Sequence, residues 1–186
     1  MRRALLGVMC AVLLGGCSSS AIPQQSSPSP SSPTTPAIQQ VQPQRQVDRQ
    51  PVIPRRFNFR RVIDAPVVPV QLDGGTLVPP ADPRVLGWWG SKAGASRGTT
   101  LLVGHTVHDG GGALDNLEDV PLGSTLRVSG VRYTVTSNRV ISKTKLAEEA
   151  QRLFSPASKP RLVVVTCENY HPATGHYSSN VVLVAE

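Results

Sequence analysis

Aromatic side chains are scarce in this chain, at 4% of 186 residues, and charged ones make up only 17%. A modest apolar core is therefore expected, and the length suits one folded domain with extensions. No apolar run approaches the roughly 20 residues that a membrane-crossing helix needs; the run Ala4 to Leu14 holds 11. Cysteine is rarer still, at three, which excludes a disulfide-built scaffold. A basic excess is missing where it would matter. Residues 1–56 carry six Arg and one Asp, whereas residues 57–186 carry thirteen Lys or Arg against eleven Asp or Glu. Most of the formal charge of +7 thus belongs to the N-terminal part. A nucleic-acid footprint needs its cations on the folded domain, so no nucleic-acid partner is expected.

What is present begins with an export leader. Arg2 and Arg3 precede the apolar run, which ends in Leu14-Gly15-Gly16-Cys17. The length is that of a signal h-region. Small residues before a cysteine at this place resemble the lipobox of bacterial lipoproteins. The resemblance implies a signal peptide over 1–16, lipidation of Cys17 and anchoring to the outer face of the cytoplasmic membrane. Cys10 would leave with the signal, and Cys167 would be the one thiol of the mature domain. Exported proteins usually pair their cysteines, so an unpaired one is a candidate for reactivity.

Residues 17–56 read as a tether. From Ser18 to Arg56 the chain is rich in Ser, Pro, Gln and Thr and holds eight of the seventeen prolines. Such a segment cannot bury enough apolar surface to offset its ordering entropy. A flexible coil of that length reaches on the order of 35 Å.

Order is expected from about Phe57 to Glu186. Arg61 to Val70 is β-rich but interrupted by Pro66 and Pro69, which predicts short edge strands. Asp73-Gly74-Gly75 is a turn before a short strand over Thr76 to Val78. Thr99 to Val103 is an apolar strand that delivers Gly104 and His105. Leu126 to Val128 and Arg132 to Ile141 predict two strands joined at Ser129-Gly130. Leu146, Ala150, Leu153 and Phe154 fall on one helical face, with Thr144 as the expected cap and Glu148 and Glu149 near the helix start. Leu162 to Thr166 predicts a central strand, and Val181 to Val184 the last one. Many short strands with one or two short helices predict a mainly β fold, a small barrel or sandwich.

Cys167 follows the apolar run Val163-Val164-Val165-Thr166, so the thiol is expected at the end of a buried strand, a rigid mount for a nucleophile. Only the thiolate attacks, and a nearby imidazole helps to form it. His105 is the natural partner because it too ends an apolar strand. His105 and His108 lack an evident third ligand for zinc, so neither a metal nor another cofactor is expected. His171 and His176 read as loop surface or cleft lining, and Trp88 and Trp89 as core or cleft wall.

Several landmarks then fall in order: Asp64-Ala65-Pro66-Val67-Val68-Pro69-Val70, Leu86-Gly87-Trp88-Trp89 and Leu102-Val103-Gly104-His105. Leu114 with Leu117, Leu122-Gly123, Val165-Thr166-Cys167 and Asn180-Val181-Val182 follow. Together they resemble the class F sortases of actinobacteria over essentially the whole expected domain. The resemblance implies an eight-stranded sortase-type β-barrel and a cysteine transpeptidase. Its partners would be a sorting-signal peptide of a surface protein, typically of the Leu-Pro-x-Thr-Gly type, and an amine acceptor. Cys167 would be the nucleophile that forms a thioacyl enzyme, and His105 the general acid/base.

One position departs from the family pattern. An Arg is expected on the last strand, commonly in a Tyr-Arg-x-Asn sequence, where this chain has Tyr177-Ser178-Ser179-Asn180. Ser178 and Asn180 are the candidates for supporting the substrate carbonyl in its place. Losing one such donor costs on the order of a hundred- to a thousand-fold in rate. A low-activity or non-catalytic peptide-binding module with the same fold is therefore the alternative. The Ser-His-Gly-Cys motif of L,D-transpeptidases and the Cys-before-His order of papain-like peptidases are both missing.

Overall fold

The computed structural model describes residues 50–186. The expected signal peptide, Cys17 and the tether up to residue 49 lie outside the described residues. Order begins slightly before Phe57. Val52 and Ala93 exchange backbone hydrogen bonds at 2.9 Å, and β1 (Arg56–Phe59) follows directly.

Burial alternates with period two along β2 (Ile63–Pro69) and β7 (Thr125–Val128), as in strands with one apolar face. By contrast, β6 (Thr99–Val103) is buried at every position, and β9 (Arg161–His171) is buried from Leu162 to Thr166. Both of their faces are covered. One faces the barrel lumen, where Phe57, Leu86, Leu102, Leu162, Val164 and Leu183 pack. The other faces an outer cluster of Leu101, Val103, Leu153, Val163, Val165 and Val182.

The remaining barrel strands are β5 (Leu86–Gly90), β8 (Val131–Ser142) and β10 (His176–Ala185). Eight strands close in the order β1-β2-β5-β6-β9-β10-β8-β7. The short β3 (Leu72–Asp73) and β4 (Thr76–Leu77) form a separate hairpin. The fold is thus mainly β, a closed eight-stranded barrel with a single helix among the described residues. Closure leaves β2 without an edge, contrary to expectation. Its prolines are tolerated because the strand changes partners midway. Ile63 to Pro66 pair with β1 and Val67 to Pro69 pair parallel with β5, so each proline ends a ladder. Ser129 at φ 48° and Gly130 at φ 87° make the two-residue turn from β7 to β8. The Ser129 hydroxyl also accepts from the Arg55 N–H at 2.8 Å, tying the turn to the domain entrance.

The helix α1 (Lys143–Leu153) begins earlier than the pattern predicts. Ser142, not Thr144, caps it by accepting from the Lys145 N–H at 3.1 Å. Glu148 and Glu149 consequently lie mid-helix, and Glu149 pairs with Arg139 and Arg152. The expected apolar face is correct: Leu153 is fully buried, and Leu146 and Phe154 pack on the outer cluster. Burying Leu153 is worth about 1.5–3 kcal/mol. Among the described residues no helix is long and apolar enough to cross a membrane.

Candidate active site

Strands β6 and β9 are parallel neighbours, with Thr99 opposite Arg161 and Val103 opposite Val165. Both therefore deliver their C-terminal ends to the same rim. The Gly104 N–H still donates to the Val165 carbonyl at 3.2 Å, so the segments leading to His105 and Cys167 run together up to this rim. On the other side Cys167 stands opposite Asn180, and Asn180 opposite Ile141. Cys167, Asn180 and Ile141 thus form one row across three strands spaced about 4.8 Å apart. Cys167 shares the odd-numbered face of Val163 and Val165, which lies outside the barrel lumen.

Cys167 is a free, half-buried thiol. It does not end its strand as expected, because β9 runs on to His171. The ladder is instead disturbed two residues further on, where Asn169 adopts φ 59°. His105 lies two residues beyond β6, where the chain has left the sheet. Its Nε2 donates to the Pro80 carbonyl at 2.8 Å. A carbonyl only accepts, so Nε2 carries a proton in this arrangement and Nδ1 is the basic nitrogen of the neutral ring.

A hydroxyl chain fixes the adjoining backbone. Thr166 Oγ1 donates to the Gly104 carbonyl at 3.0 Å and contacts Thr106 Oγ1 at 2.8 Å. Asn180 Nδ2 donates to the Thr166 carbonyl at 3.0 Å, behind the thiol. Gly104 has no room for a side chain, since a Cβ there would overlap Leu86 and Leu114. Gly112 is equally confined by Asp115 and the His105 carbonyl. Asp115 in turn accepts from the Val107 and Gly112 N–H groups at 2.7 and 2.9 Å, holding the loop after His105 in a fixed shape.

A cavity of about 470 Å³ reaches Cys167 from the outer face. Its walls are mostly apolar: Leu77 of β4 and Pro79 just after it, Trp89, Leu101 and Val103 from the sheet, and Leu146 of α1 with Phe154 at its C-cap. Thr166, Cys167 and Asn180 lie along it, and Lys143 adds a charge. Trp88 packs against the lumen cluster and donates its indole N–H to the Ser91 carbonyl at 3.0 Å. The two tryptophans divide between core and cleft wall.

A second, polar groove of about 370 Å³ is lined by Thr106, His108, Asp115, Glu118, Glu168, Tyr170 and Tyr177, among others. The Tyr170 ring lies 4.3 Å from His108 and 5.1 Å from Tyr177, centroid to centroid. Burial, with Glu168 and Asp119 nearby, pushes the Glu118 carboxyl above its ordinary value. Burial likewise raises the Tyr177 hydroxyl, with the charges of Cys167 and Asp115 adding.

Other candidates are not gathered here. Ser178 is exposed and its hydroxyl points to the Asn169 carbonyl at 3.4 Å. His171 and His176 are exposed register partners near the tip of the β9–β10 hairpin. Arg132 pairs opposite Arg127 on the β7 side of the barrel, and Arg139 is tied to Glu149 at 2.9 Å. Sequence reasoning missed Pro80, the Thr106–Thr166 contact and Lys143. Pro79-Pro80 carried only the signal of a strand terminator, and contacts across 25 to 60 residues leave no local pattern.

The arrangement has known counterparts. The chain matches solved structures of sortase A from Corynebacterium diphtheriae (a lid mutant), with 21% identity, 73% of this chain and 69% of that chain covered, and a TM-score of 0.52. Sortase A of Listeria monocytogenes matches at 16% identity over 73% of this chain and 86% of that one, with a TM-score of 0.52. Sortase C-1 of Actinomyces oris matches at 18% identity, with coverages of 70% and 71% and a TM-score of 0.51. Likeness at these identities speaks for the fold alone. No curated protein matches the chain. The sequence of residues 55–186, however, fits the family model described as the sortase domain. Barrel order, the row of strands and this match converge, and the chain belongs to the sortase family.

Proposed function

We propose that this protein is an exported cysteine transpeptidase of the class F sortase type. It takes a sorting-signal peptide of a surface protein as acyl donor and an amine as acceptor. In this reading residues 1–16 are a lipoprotein signal, Cys17 carries the lipid anchor, and residues 17–56 tether the domain outside the cytoplasmic membrane. The observation that supports the catalytic part is the parallel pairing of β6 with β9, whose C-terminal ends lead to His105 and Cys167 at one rim, with Cys167 lining an apolar cavity.

The chemistry follows from the groups present. The Cys167 thiol gives its proton to His105, and the thiolate attacks a peptide carbonyl lodged against the apolar wall. The carbon–sulfur bond forms, and the tetrahedral intermediate collapses as the imidazolium protonates the leaving amine. The incoming amine then attacks the thioester carbon and gives a proton to His105; the carbon–sulfur bond breaks as the new amide forms, and the Cys167 thiolate takes its proton from the imidazolium. The hydrogen bonds that fix Gly104 and Thr166, the residues before His105 and Cys167, support this reading because they reduce the ordering left for the reaction step.

The test is intact-mass spectrometry of the mature chain with a Leu-Pro-x-Thr-Gly peptide. A thioacyl adduct is expected in the wild type and absent in Cys167→Ala, with formation slowed at least about a hundredfold in His105→Gln. No adduct with any such peptide would remove the enzymatic reading. A second reading, a peptide-binding barrel that turns over poorly, is favoured by Ser178 lying outside the cavity without a charge. It requires Ser178→Arg to switch on turnover that the wild type lacks.

A further inference from the structure

Acyl transfer through a thiolate places a full negative charge on the carbonyl oxygen, and a preorganised cation or donor beside that oxygen is worth more than almost any other single group. The donors along the Cys167 cavity are few. Asn180 has one amide hydrogen committed to the Thr166 carbonyl. Among the residues lining the cavity, Lys143 is the one that carries a positive charge.

Two independent features bring Lys143 to this place. First, β8 and β10 are antiparallel, with Ile141 opposite Asn180 and Ser142 opposite Ser179. Lys143 leaves β8 one residue later, alongside Ser178, on the face that Asn180 and Cys167 share. It lies two strands across and two residues along from Cys167, about 12 Å between Cα atoms by standard strand spacings. The four-carbon stem of lysine spans roughly half of that distance, which leaves the width of a peptide group between ammonium and sulfur. Second, its neighbours are neutralised while it is not. Arg139 and Arg152 pair with Glu149, and Lys145 pairs with Glu148 at 3.1 Å. Lys143 forms no ion pair among the described residues.

We infer that Lys143 is a catalytic residue whose ammonium binds the carbonyl oxygen of the peptide as Cys167 attacks. The inference rests on the reading of Cys167 as an acyl-transfer nucleophile. As sulfur bonds to the carbonyl carbon, the C=O π pair moves to oxygen and the Lys143 ammonium donates a hydrogen bond to it. Lys143 keeps its proton throughout. When the pair returns, the C–N bond breaks and the leaving amine takes its proton from His105.

The experiment compares wild type, Lys143→Gln, Lys143→Arg and Lys145→Gln in thioacyl formation with a Leu-Pro-x-Thr-Gly peptide, alongside thermal melts. Lys143→Gln should lose about a hundredfold in kcat with KM little changed. Lys143→Arg should stay within about tenfold of wild type, and Lys145→Gln should match it. A rise in KM at constant kcat would mean that Lys143 holds a carboxylate of the peptide rather than the reacting oxygen, and would overturn the inference. Unimpaired kcat in Lys143→Gln overturns it while the transpeptidase reading stands. No adduct in the wild type removes both. A second measurement needs no turnover: alkylation of Cys167, in which the thiolate displaces iodide, by anionic iodoacetate and neutral iodoacetamide. The iodoacetate-to-iodoacetamide rate ratio should fall at least about threefold in Lys143→Gln, the Coulomb factor for unit charges near 6 Å in a water-like medium. An unchanged ratio shows that the charge does not reach the sulfur, and the inference fails.

Discussion

Replacing Thr166 by valine tests whether the hydroxyl chain at the ends of β6 and β9 positions the proposed pair, His105 and Cys167. Valine keeps the β-branched shape and the strand preference of threonine, so only the hydroxyl is lost. Thr166 is 2% exposed, and its Oγ1 donates to the buried Gly104 carbonyl at 3.0 Å while meeting Thr106 Oγ1 at 2.8 Å. The variant strands the Gly104 carbonyl, at a cost of about 1–3 kcal/mol for an unsatisfied buried acceptor. Thr106 loses less, because its hydroxyl can turn to the Leu114 carbonyl, already at 3.5 Å. The new buried methyl returns up to about 0.8 kcal/mol. The net expectation is a loss of about 1–2 kcal/mol, read as a shift in urea midpoint at constant slope. Because Gly104 precedes His105, iodoacetamide should also alkylate Cys167 several-fold more slowly in Thr166→Val, whereas Thr166→Ser should behave as wild type. A valine variant within 0.5 kcal/mol of wild type, by about the usual scatter of surface changes, with unaltered alkylation, would refute the argument.

Two further outcomes follow from the packing and the charges. Gly104→Ala sets a methyl against Leu86 and Leu114, both essentially fully buried, and should cost about 1–3 kcal/mol by overpacking, measured by thermal melting. The Glu149 carboxyl is held below its ordinary value by its hydrogen bond from Arg139, with the Arg139 and Arg152 charges adding. A depressed carboxyl contributes stability that is present above its unfolded value and disappears as pH falls through the folded one. Glu149→Gln should therefore lower the melting temperature at about pH 7, and its difference from wild type should shrink as pH falls through the lowered folded value.

Much of the barrel was legible because its signals are local. The unbroken run Leu162 to Thr166 foretold a strand covered on both faces, and the structure supplies both covers, lumen and helix. Ser129-Gly130 foretold the β7–β8 turn because two positive φ angles in succession need such residues. The face of α1 was visible in its 3.6 period, but its cap was misplaced by two residues, since Ser142 and Thr144 offer the same hydroxyl. The edge assignment for β2 failed because closure of a sheet is a property of the whole barrel, and proline reports only its own missing N–H.

By itself the sequence determined most of the strand segments, the apolar face of the helix and the isolation of the Cys167 thiol among the described residues, because these depend on residue type and on period along the chain. Only the tertiary structure decided that the strands leading to His105 and Cys167 are parallel neighbours ending at one rim, through the pairing of β6 with β9. It also decided that Pro80 holds the imidazole and that Lys143 charges the cavity. These contacts join residues far apart in the chain. Register and closure create them, and neither is written in any single segment.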